Sequence, residues 1–238
     1  MDDPYRARRL ETPVGTKADH VYALLKQWIQ TGRLEPGQPL TLDDLEQSLG
    51  LDVSRMPLRE ALARLQADGL VQARAHRTAR VAPLTVEEMH DIYAAREALE
   101  PMLASTAVPR CDAVELGMMA EQLKAQEAAV NNGDYPEFVR IDRQFHATLY
   151  RASGFHHSTR MVDQLRDISD RYVLAYASSG HRAHVGLDQH RDLLEACRQG
   201  DAEEVRRLTI AHVRDGVDVL RDEPDGPALA HRAADGTS

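Results

Sequence analysis

Residues 54–65 read Ser-Arg-Met-Pro-Leu-Arg-Glu-Ala-Leu-Ala-Arg-Leu, and this stretch decides the fold of the first part of the chain. Ser54 is a favourable helix N-cap, and Pro57 stands close behind it, where a first helical turn tolerates proline. Leucines at 58, 62 and 65 recur at helical spacing and form one apolar stripe. The pattern predicts an amphipathic helix that begins at or just after Ser54.

Two arginines lie near the start of this helix. Arg55 and Arg59 are one helical turn apart, so both project from the same side of its N-terminal end. A recognition helix in the DNA major groove presents side chains to guanine edges and phosphates from that position. An ordinary amphipathic helix with solvated arginines has the same pattern. Only the neighbouring segments can distinguish a recognition helix from such a helix.

The segments on either side predict a winged helix-turn-helix. Residues 17–31 carry apolar side chains at helical spacing, and a short helix capped by Thr41 follows after a Pro-Gly pair. Behind the arginine helix, two β-type runs over 70–73 and 79–82 are joined by a polar stretch. Three helices followed by a two-stranded hairpin are typical of this DNA-binding fold.

Residues 17–83 resemble the DNA-binding domain of GntR-type bacterial transcription regulators. The resemblance is carried by 37–49, by 54–62, by 65–70 and by the basic wing. In that family the recognition helix touches bases and phosphates and the wing tip enters the minor groove. The resemblance therefore implies the following DNA-contacting residues: Ser54, Arg55, Met56 and Arg59 on the helix, with Arg77 and Thr78 at the wing tip.

The chain departs from the family pattern in its DNA-reading part. Asp43 stands where arginine is common, Met56 where threonine is common, and Thr78 where the wing tip commonly has glycine. The turn before Ser54 is also longer than usual. A missing arginine removes a contact that contributes about 1–3 kcal/mol of base discrimination. The operator sequence therefore cannot be copied from relatives.

Charge is distributed unevenly along the 238 residues, whose formal net charge is −9. Residues 1–83 hold 12 Lys and Arg against 11 Asp and Glu, whereas residues 84–238 hold 17 against 27. Only the N-terminal part can approach phosphates without strong repulsion. We expect DNA affinity to depend on local arginine placement and on dimerisation.

Cysteine content and hydropathy predict a cytoplasmic protein without a membrane partner. No apolar run approaches the length of a membrane span, and the charged N-terminus is unlike a signal sequence. Cys111 and Cys197 are expected to be free thiols, with a disulfide as the less favoured alternative. Residues 1–16 are expected to form a flexible arm, and 222–238 a disordered tail.

The remainder of the chain, 84–221, is predicted to be an all-helical domain, so the fold class is mainly α. Short breaks separate six helical patterns: 85–108, 112–131, 135–152, 156–177, 184–199 and 201–221. Helices of this length with short connections pack as an antiparallel bundle.

Polar residues on the apolar stripes of these helices predict a metal site. Asp142 and His146 are four residues apart on one helix face, while His190 and His212 lie among leucine and valine on two further helices. One inward histidine is more often a hydrogen-bonded core residue than a ligand. Three of them with an aspartate form a nitrogen-rich set that suits Zn²⁺, Ni²⁺ or a similar metal better than Ca²⁺ or Mg²⁺.

Arg96 is a further polar residue on an apolar stripe, and a buried arginine needs an anionic partner. Two interpretations stay open. Arg96 forms an internal ion pair with a carboxylate of the bundle, or it binds a carboxylate ligand beside the metal through its planar fork of donors.

This second domain resembles the FCD effector domain of the FadR-type branch of GntR regulators. The carriers are 95–100, 142–146, 190–196 and His212. In metal-binding members of that branch an aspartate and three histidines hold the ion, and an organic acid effector meets both the ion and an arginine. The resemblance implies these roles for the following residues: Asp142, His146, His190 and His212 for the metal, and Arg96 for the effector.

These observations predict a homodimeric, ligand-responsive transcription regulator that binds double-stranded DNA, with repression the commoner mode in the family. We weighed two alternatives: a purely structural metal site, and a metal-dependent enzyme. Against the enzyme, no glutamate base accompanies the ligands, and the chain contains no GxGxxG, P-loop or GxSxG motif.

Overall fold

The computed structural model describes residues 15–49, 54–73, 79–177 and 181–222. Arg77 and Thr78 lie outside the described residues, as do the long turn before Ser54 and nearly all of the predicted arm and tail. The chain divides into two compact units between Pro83 and Leu84.

The first unit is a winged helix-turn-helix, as the sequence predicts. Its elements are α1 (Lys17–Gln30), β1 (Pro39–Leu40), α2 (Leu42–Leu49), α3 (Arg55–Ala67), β2 (Val71–Ala73) and β3 (Ala79–Val81). Helix α1 packs on α3, and α2 contacts α3 as well. The buried side of α3 carries Leu58, Ala61 and Leu65, which are fully enclosed.

Helix starts in this unit follow the capping residues. The Thr16 hydroxyl accepts a hydrogen bond from the Asp19 backbone N–H, and the Asp19 side chain accepts from the Thr16 backbone in return. Thr41 caps α2 in the predicted way, accepting from the Asp44 N–H at 3.1 Å. Ser54 occupies the N-cap position of α3 with extended backbone, but its side chain makes no capping hydrogen bond.

Among the described residues, the sheet has one strand more than the predicted hairpin. Its order is β1-β3-β2, with both neighbouring pairs antiparallel. Leu40 pairs with Ala79, and Pro39 pairs with Arg80. A two-residue strand that includes a proline has no recognisable alternation, so periodicity could not reveal it.

The second unit is the predicted helical bundle. Its helices are α4 (Val86–Ala107), α5 (Ala113–Asn131), α6 (Tyr135–Ala152), α7 (His156–Ala177), α8 (His181–Gln199) and α9 (Ala202–Asp222). Five of the predicted helices agree within a residue or so at each end, whereas α8 begins at His181, three residues earlier than predicted. None of the described helices combines the length and the apolar character that a bilayer span needs.

Packing places a polar centre among apolar residues of the bundle. Helix α4 contacts α6, α7 and α9, while α8 contacts α5, α7 and α9. Fully buried Phe145 and Leu149 of α6 belong to the main core cluster, together with Leu187 of α8. The same helices direct carboxylate, imidazole and guanidinium groups toward one another between these apolar contacts.

Candidate metal centre

Four residues that are far apart in the sequence meet at the polar centre of the bundle. Asp142 and His146 come from α6, His190 from α8 and His212 from α9, and each offers one ligand atom. These four atoms lie within 4.8 Å of one another. The structure thus brings together every residue that the sequence suggested as a metal ligand.

The separations between ligand atoms match those around a small cation. Nε2 of His190 lies 3.2 Å from Oδ1 of Asp142 and 3.2 Å from Nε2 of His146. Nε2 of His146 is 3.7 Å from the same carboxylate oxygen. Ligands at about 2.0–2.1 Å from a tetrahedral zinc ion are roughly 3.3 Å apart, so the spacing suits such an ion.

Burial keeps two of the imidazoles, His146 and His212, in the form that binds metals. His146 and His190 are almost completely buried, and His212 is partly buried. Burial and the nearby Arg166 guanidinium lower the pKa of His146 to about 4. Burial also holds the pKa of His212 well below its ordinary value. Both rings are therefore neutral at pH 7, and a neutral ring nitrogen is the ligand form.

Hydrogen bonds at the far nitrogens fix which tautomer each ring adopts. Nδ1 of His190 lies 2.7 Å from Oε1 of Gln126, and Nδ1 of His212 lies 2.7 Å from Oε1 of Gln189. Amide oxygens only accept, so with Gln126 and Gln189 in this orientation both Nδ1 atoms carry the proton. The Gln189 orientation is supported by its Nε2, which donates to Asp215 at 3.4 Å.

His146 follows the same arrangement through a tyrosine. Its Nδ1 lies 3.3 Å from the Tyr150 hydroxyl, which donates its own proton to Oε2 of Glu100 at 2.8 Å. The Tyr150 oxygen can therefore accept from Nδ1–H. In a neutral ring whose Nδ1 carries the proton, Nε2 holds the free lone pair. The ligand atoms of the three rings and of Asp142 converge within 4.8 Å, and such a set of acceptors favours a cation.

Two buried arginines and two buried carboxylates adjoin the centre. Arg166 donates to Oδ2 of Asp142 at 3.3 Å and to Oε2 of Glu100 at 3.1 Å. Arg96 donates to Oε1 of Glu100 at 2.7 Å and to the Ser169 hydroxyl at 3.1 Å. Arg96 therefore forms an internal ion pair with Glu100, which was one of the two possibilities that the sequence left open.

Sequence reasoning missed Glu100, Tyr150 and Arg166, and also the hydrogen-bond partners Ser169, Gln126 and Gln189. Two of them had a local signal. Glu100 is four residues beyond Arg96, and Tyr150 is four residues beyond His146, so each shares a helix face with a residue already singled out. Arg166 had no such signal, because its partners lie on other helices.

A cavity of about 50 Å³ opens beside the centre. Arg96, Asp142 and His212 line it, together with Arg182 of α8 and Asp215 of α9. The apolar part of its wall is formed by the following residues: Tyr93, Phe138, Val173 and Ala177. Arg96, the predicted effector-binding residue, therefore lines the same cavity as two of the predicted metal ligands, Asp142 and His212.

The four described candidates for DNA contact lie together at the start of α3. Ser54, Arg55, Met56 and Arg59 are all exposed. Arg55 donates to Oδ1 of Asp43 on α2 at 2.9 Å. Since they occupy the N-terminal turns of the helix that a winged helix-turn-helix places in the major groove, they are available to contact DNA.

A winged helix-turn-helix and a helical bundle with a buried polar centre, joined in one chain, define a DNA-binding transcription regulator. Residues 17–81 match the family model described as bacterial regulatory proteins of the gntR family, and residues 91–215 match the FCD domain. The chain belongs to the GntR family of bacterial transcriptional regulators, in the branch that carries an FCD domain.

Curated relatives are similar over most of their length. The HTH-type transcriptional regulator YdhC of Bacillus subtilis (strain 168) is 29% identical over 192 residues, which cover 80% of this chain and 85% of the relative. The HTH-type transcriptional repressor RspR of Escherichia coli (strain K12) is 26% identical over 197 residues, covering 82% and 85% respectively.

A solved structure shares the fold of most of this chain. The E. coli protein McbR/YncC superposes with a TM-score of 0.79 at 22% identity, covering 89% of this chain and 100% of that one. The curated relatives are named as transcriptional regulators, so transcription regulation is the function that the family carries. The structural neighbour agrees in fold.

Proposed function

We propose that this regulator binds a divalent transition metal through Asp142, His146, His190 and His212, and that zinc fits the site best. The observation that supports this most strongly is the set of Nδ1 hydrogen bonds, which leaves three Nε2 lone pairs beside one carboxylate. A bound metal would supply a Lewis acid in the bundle and would stabilise the meeting of three helices.

Charge balance supports a small organic acid as the effector. Arg96 and Arg166 are balanced by Glu100 and Asp142 before any metal binds. Burial keeps His146 and His212 neutral, and the adjoining Arg143 pairs with both Asp167 and Asp170, so one surplus carboxylate faces the two positive charges that a divalent metal adds. The remaining positive charge needs an anionic partner. The cavity lined by Arg96 gives a carboxylate access to that charge.

We further propose that the chain acts as a homodimeric repressor of double-stranded DNA targets. Ser54, Arg55, Met56 and Arg59 would contact bases and phosphates in successive major grooves, with Arg77 and Thr78 at the wing tips. Two relatives in E. coli (strain K12), RspR and GlaR, are named as transcriptional repressors, which supports repression rather than activation. The acid would alter DNA binding only by its differential affinity for two arrangements of the dimer.

The test combines metal analysis with DNA binding. Elemental analysis of purified protein should give about one metal ion per chain, and variants His190→Ala and His212→Ala should lose it. A panel of small carboxylic acids is then titrated into zinc-loaded protein bound to labelled DNA. At least one acid should change DNA affinity in zinc-loaded protein and have no effect after chelation. Unchanged metal content in both variants would contradict the proposal.

A purely structural metal site is the second candidate, and one observation favours it. Arg96 already satisfies Glu100 and Ser169, so its guanidinium is largely engaged. In that case chelation would lower the melting temperature, but no acid would change it. Arg182→Ala provides an additional test, because Arg182 lines the cavity without belonging to the buried charge network. Its replacement should weaken acid binding only if the cavity is an effector site.

A further inference from the structure

Met56 is an unusually exposed apolar side chain. Its exposed fraction is 72%, higher than that of any other large hydrophobic residue in the described parts of the chain. It lies in the first turn of α3, next to Arg55. An apolar side chain in such a position gains nothing from the protein core and is available to an external partner.

The direction of Met56 follows from the helix geometry. Leu58, Ala61 and Leu65 form the buried stripe of α3. At 100° per residue, Met56 points almost opposite to the centre of that stripe, next to the direction of Arg59. The face centred on Met56 is therefore the one that the helix turns away from the core, and its N-terminal end is where a recognition helix approaches base edges.

Arg55 is held beside Met56 by a second helix. Its guanidinium donates to Oδ1 of Asp43 at 2.9 Å, and its Nε lies 3.7 Å from a carboxylate oxygen of Glu46. These contacts occupy one edge of the guanidinium and leave the NH1 end open. An arginine oriented in this way can donate two hydrogen bonds to O6 and N7 of a guanine.

We propose that Met56 reads the C5-methyl group of a thymine, immediately beside a guanine that is contacted by Arg55. The inference rests on the proposed contact of α3 with DNA bases. Of the chemical groups in the major groove, the thymine methyl is the apolar one, and burying it against a methionine side chain is favourable. Asp43 serves as a positioning residue for Arg55.

The test uses a duplex selected from a random pool by the wild-type chain. Each thymine of one half-site is replaced in turn by deoxyuridine, which removes only the methyl group. At one position next to a guanine, wild-type affinity should fall about fourfold, the effect expected for one buried methyl group. Met56→Ala should bind the thymine and deoxyuridine duplexes equally, whereas Met56→Leu should keep part of the preference.

Two further variants distinguish a specific contact between Met56 and the thymine methyl group from a general change in DNA affinity. Met118→Ala changes another exposed methionine, on α5, and should keep the full methyl preference. Asp43→Ala should reduce discrimination at the guanine about threefold, since an exposed ion pair contributes little, while sparing the thymine preference. If no deoxyuridine position weakens the wild type, or if Met56→Ala shows the same loss, the inference is wrong. If no duplex is selected at all, the proposed DNA contact fails and the inference falls with it.

Discussion

The Tyr150 hydroxyl donates a 2.8 Å hydrogen bond to Oε2 of Glu100. This bond connects the two halves of the polar centre, because Tyr150 also lies beside Nδ1 of His146 while Glu100 binds both Arg96 and Arg166. A displacement of His146, one of the four candidate metal ligands, can therefore be transmitted through Tyr150 and Glu100 to Arg96, which lines the cavity.

Replacing Tyr150 with phenylalanine should weaken metal binding. The variant removes the acceptor of the His146 Nδ1 proton, so the ring is no longer held in the tautomer that binds metal. Loss of such a supporting hydrogen bond typically lowers metal affinity about 10- to 100-fold. Competition with a zinc chelator measures the change.

Tyr172→Phe is the matched control. Tyr172 is also buried and also donates to a glutamate, Glu88, at 2.6 Å. Unlike Glu100, Glu88 is not connected through this tyrosine to a candidate metal ligand. This variant should lower thermal stability and leave zinc affinity unchanged. Equal losses of zinc affinity in both variants would show that Tyr150 has no particular connection with the metal.

Replacing Arg166 with methionine should destabilise the metal-free protein more than the zinc-loaded protein. Removing one partner of a buried ion pair commonly costs about 3–5 kcal/mol. Zinc would restore a positive charge beside Asp142, so part of that loss should be recovered. Urea denaturation with chelator and with excess zinc measures both free energies of unfolding.

An exposed ion pair supplies the comparison for Arg166. Arg191 donates to Glu127 at 2.7 Å, and both side chains are substantially solvated. Arg191→Met should cost at most about 1 kcal/mol, because exposed pairs contribute little. Its effect should be the same with and without zinc. A zinc-independent loss for Arg166→Met as well would argue against a metal beside Asp142.

Stability of the chelated protein should fall as the pH decreases from about 6.5 toward 4. The pKa of His146 is lowered to about 4 in the folded chain, and that of His212 is lowered as well. In that window the unfolded chain protonates both imidazoles and the folded chain does not, so each imidazole makes the free energy of unfolding rise with pH. Burial raises the pKa of Asp170 to about 6, and this single opposing group leaves the net slope positive. Urea midpoints at pH 7, 6 and 5 measure the slope. His146→Gln should reduce it, and His90→Gln, on the exposed surface, should leave it unchanged.

Gly216→Ala should destabilise the protein although alanine is the better helix former. A Cβ atom at this position would lie 2.6 Å from Cε1 of Tyr93, a buried ring of α4 that also lines the cavity. Overpacking of this kind costs about 1–3 kcal/mol. Thermal denaturation measures the effect.

Gly117→Ala tests the same substitution where space is available. A Cβ atom at Gly117, on the exposed side of α5, would meet nothing within 4 Å. This variant should gain about 1 kcal/mol from helix propensity alone. A gain at both positions would mean that Tyr93 moves away without cost.

The helices and the ligand candidates could be predicted because their signals are local. Asp142 and His146 share a helix face through their spacing, and capping residues such as Thr41 mark helix starts. The pairing of Pro39 with Arg80 has no local signal, because it depends on strands that are far apart in the sequence. The same applies to the Asp43 contact that orients Arg55.

The amino-acid sequence by itself determined the division into a winged helix and a helical bundle, and it indicated which imidazoles face inward. Hydrophobic periodicity and capping act over a few residues, so they can be read directly from the chain. Only the tertiary structure decided that Arg166 joins Glu100 to Asp142 and that Gln126 orients His190. Those partners are 66, 24 and 64 residues apart, and only helix packing decides which buried polar groups satisfy one another.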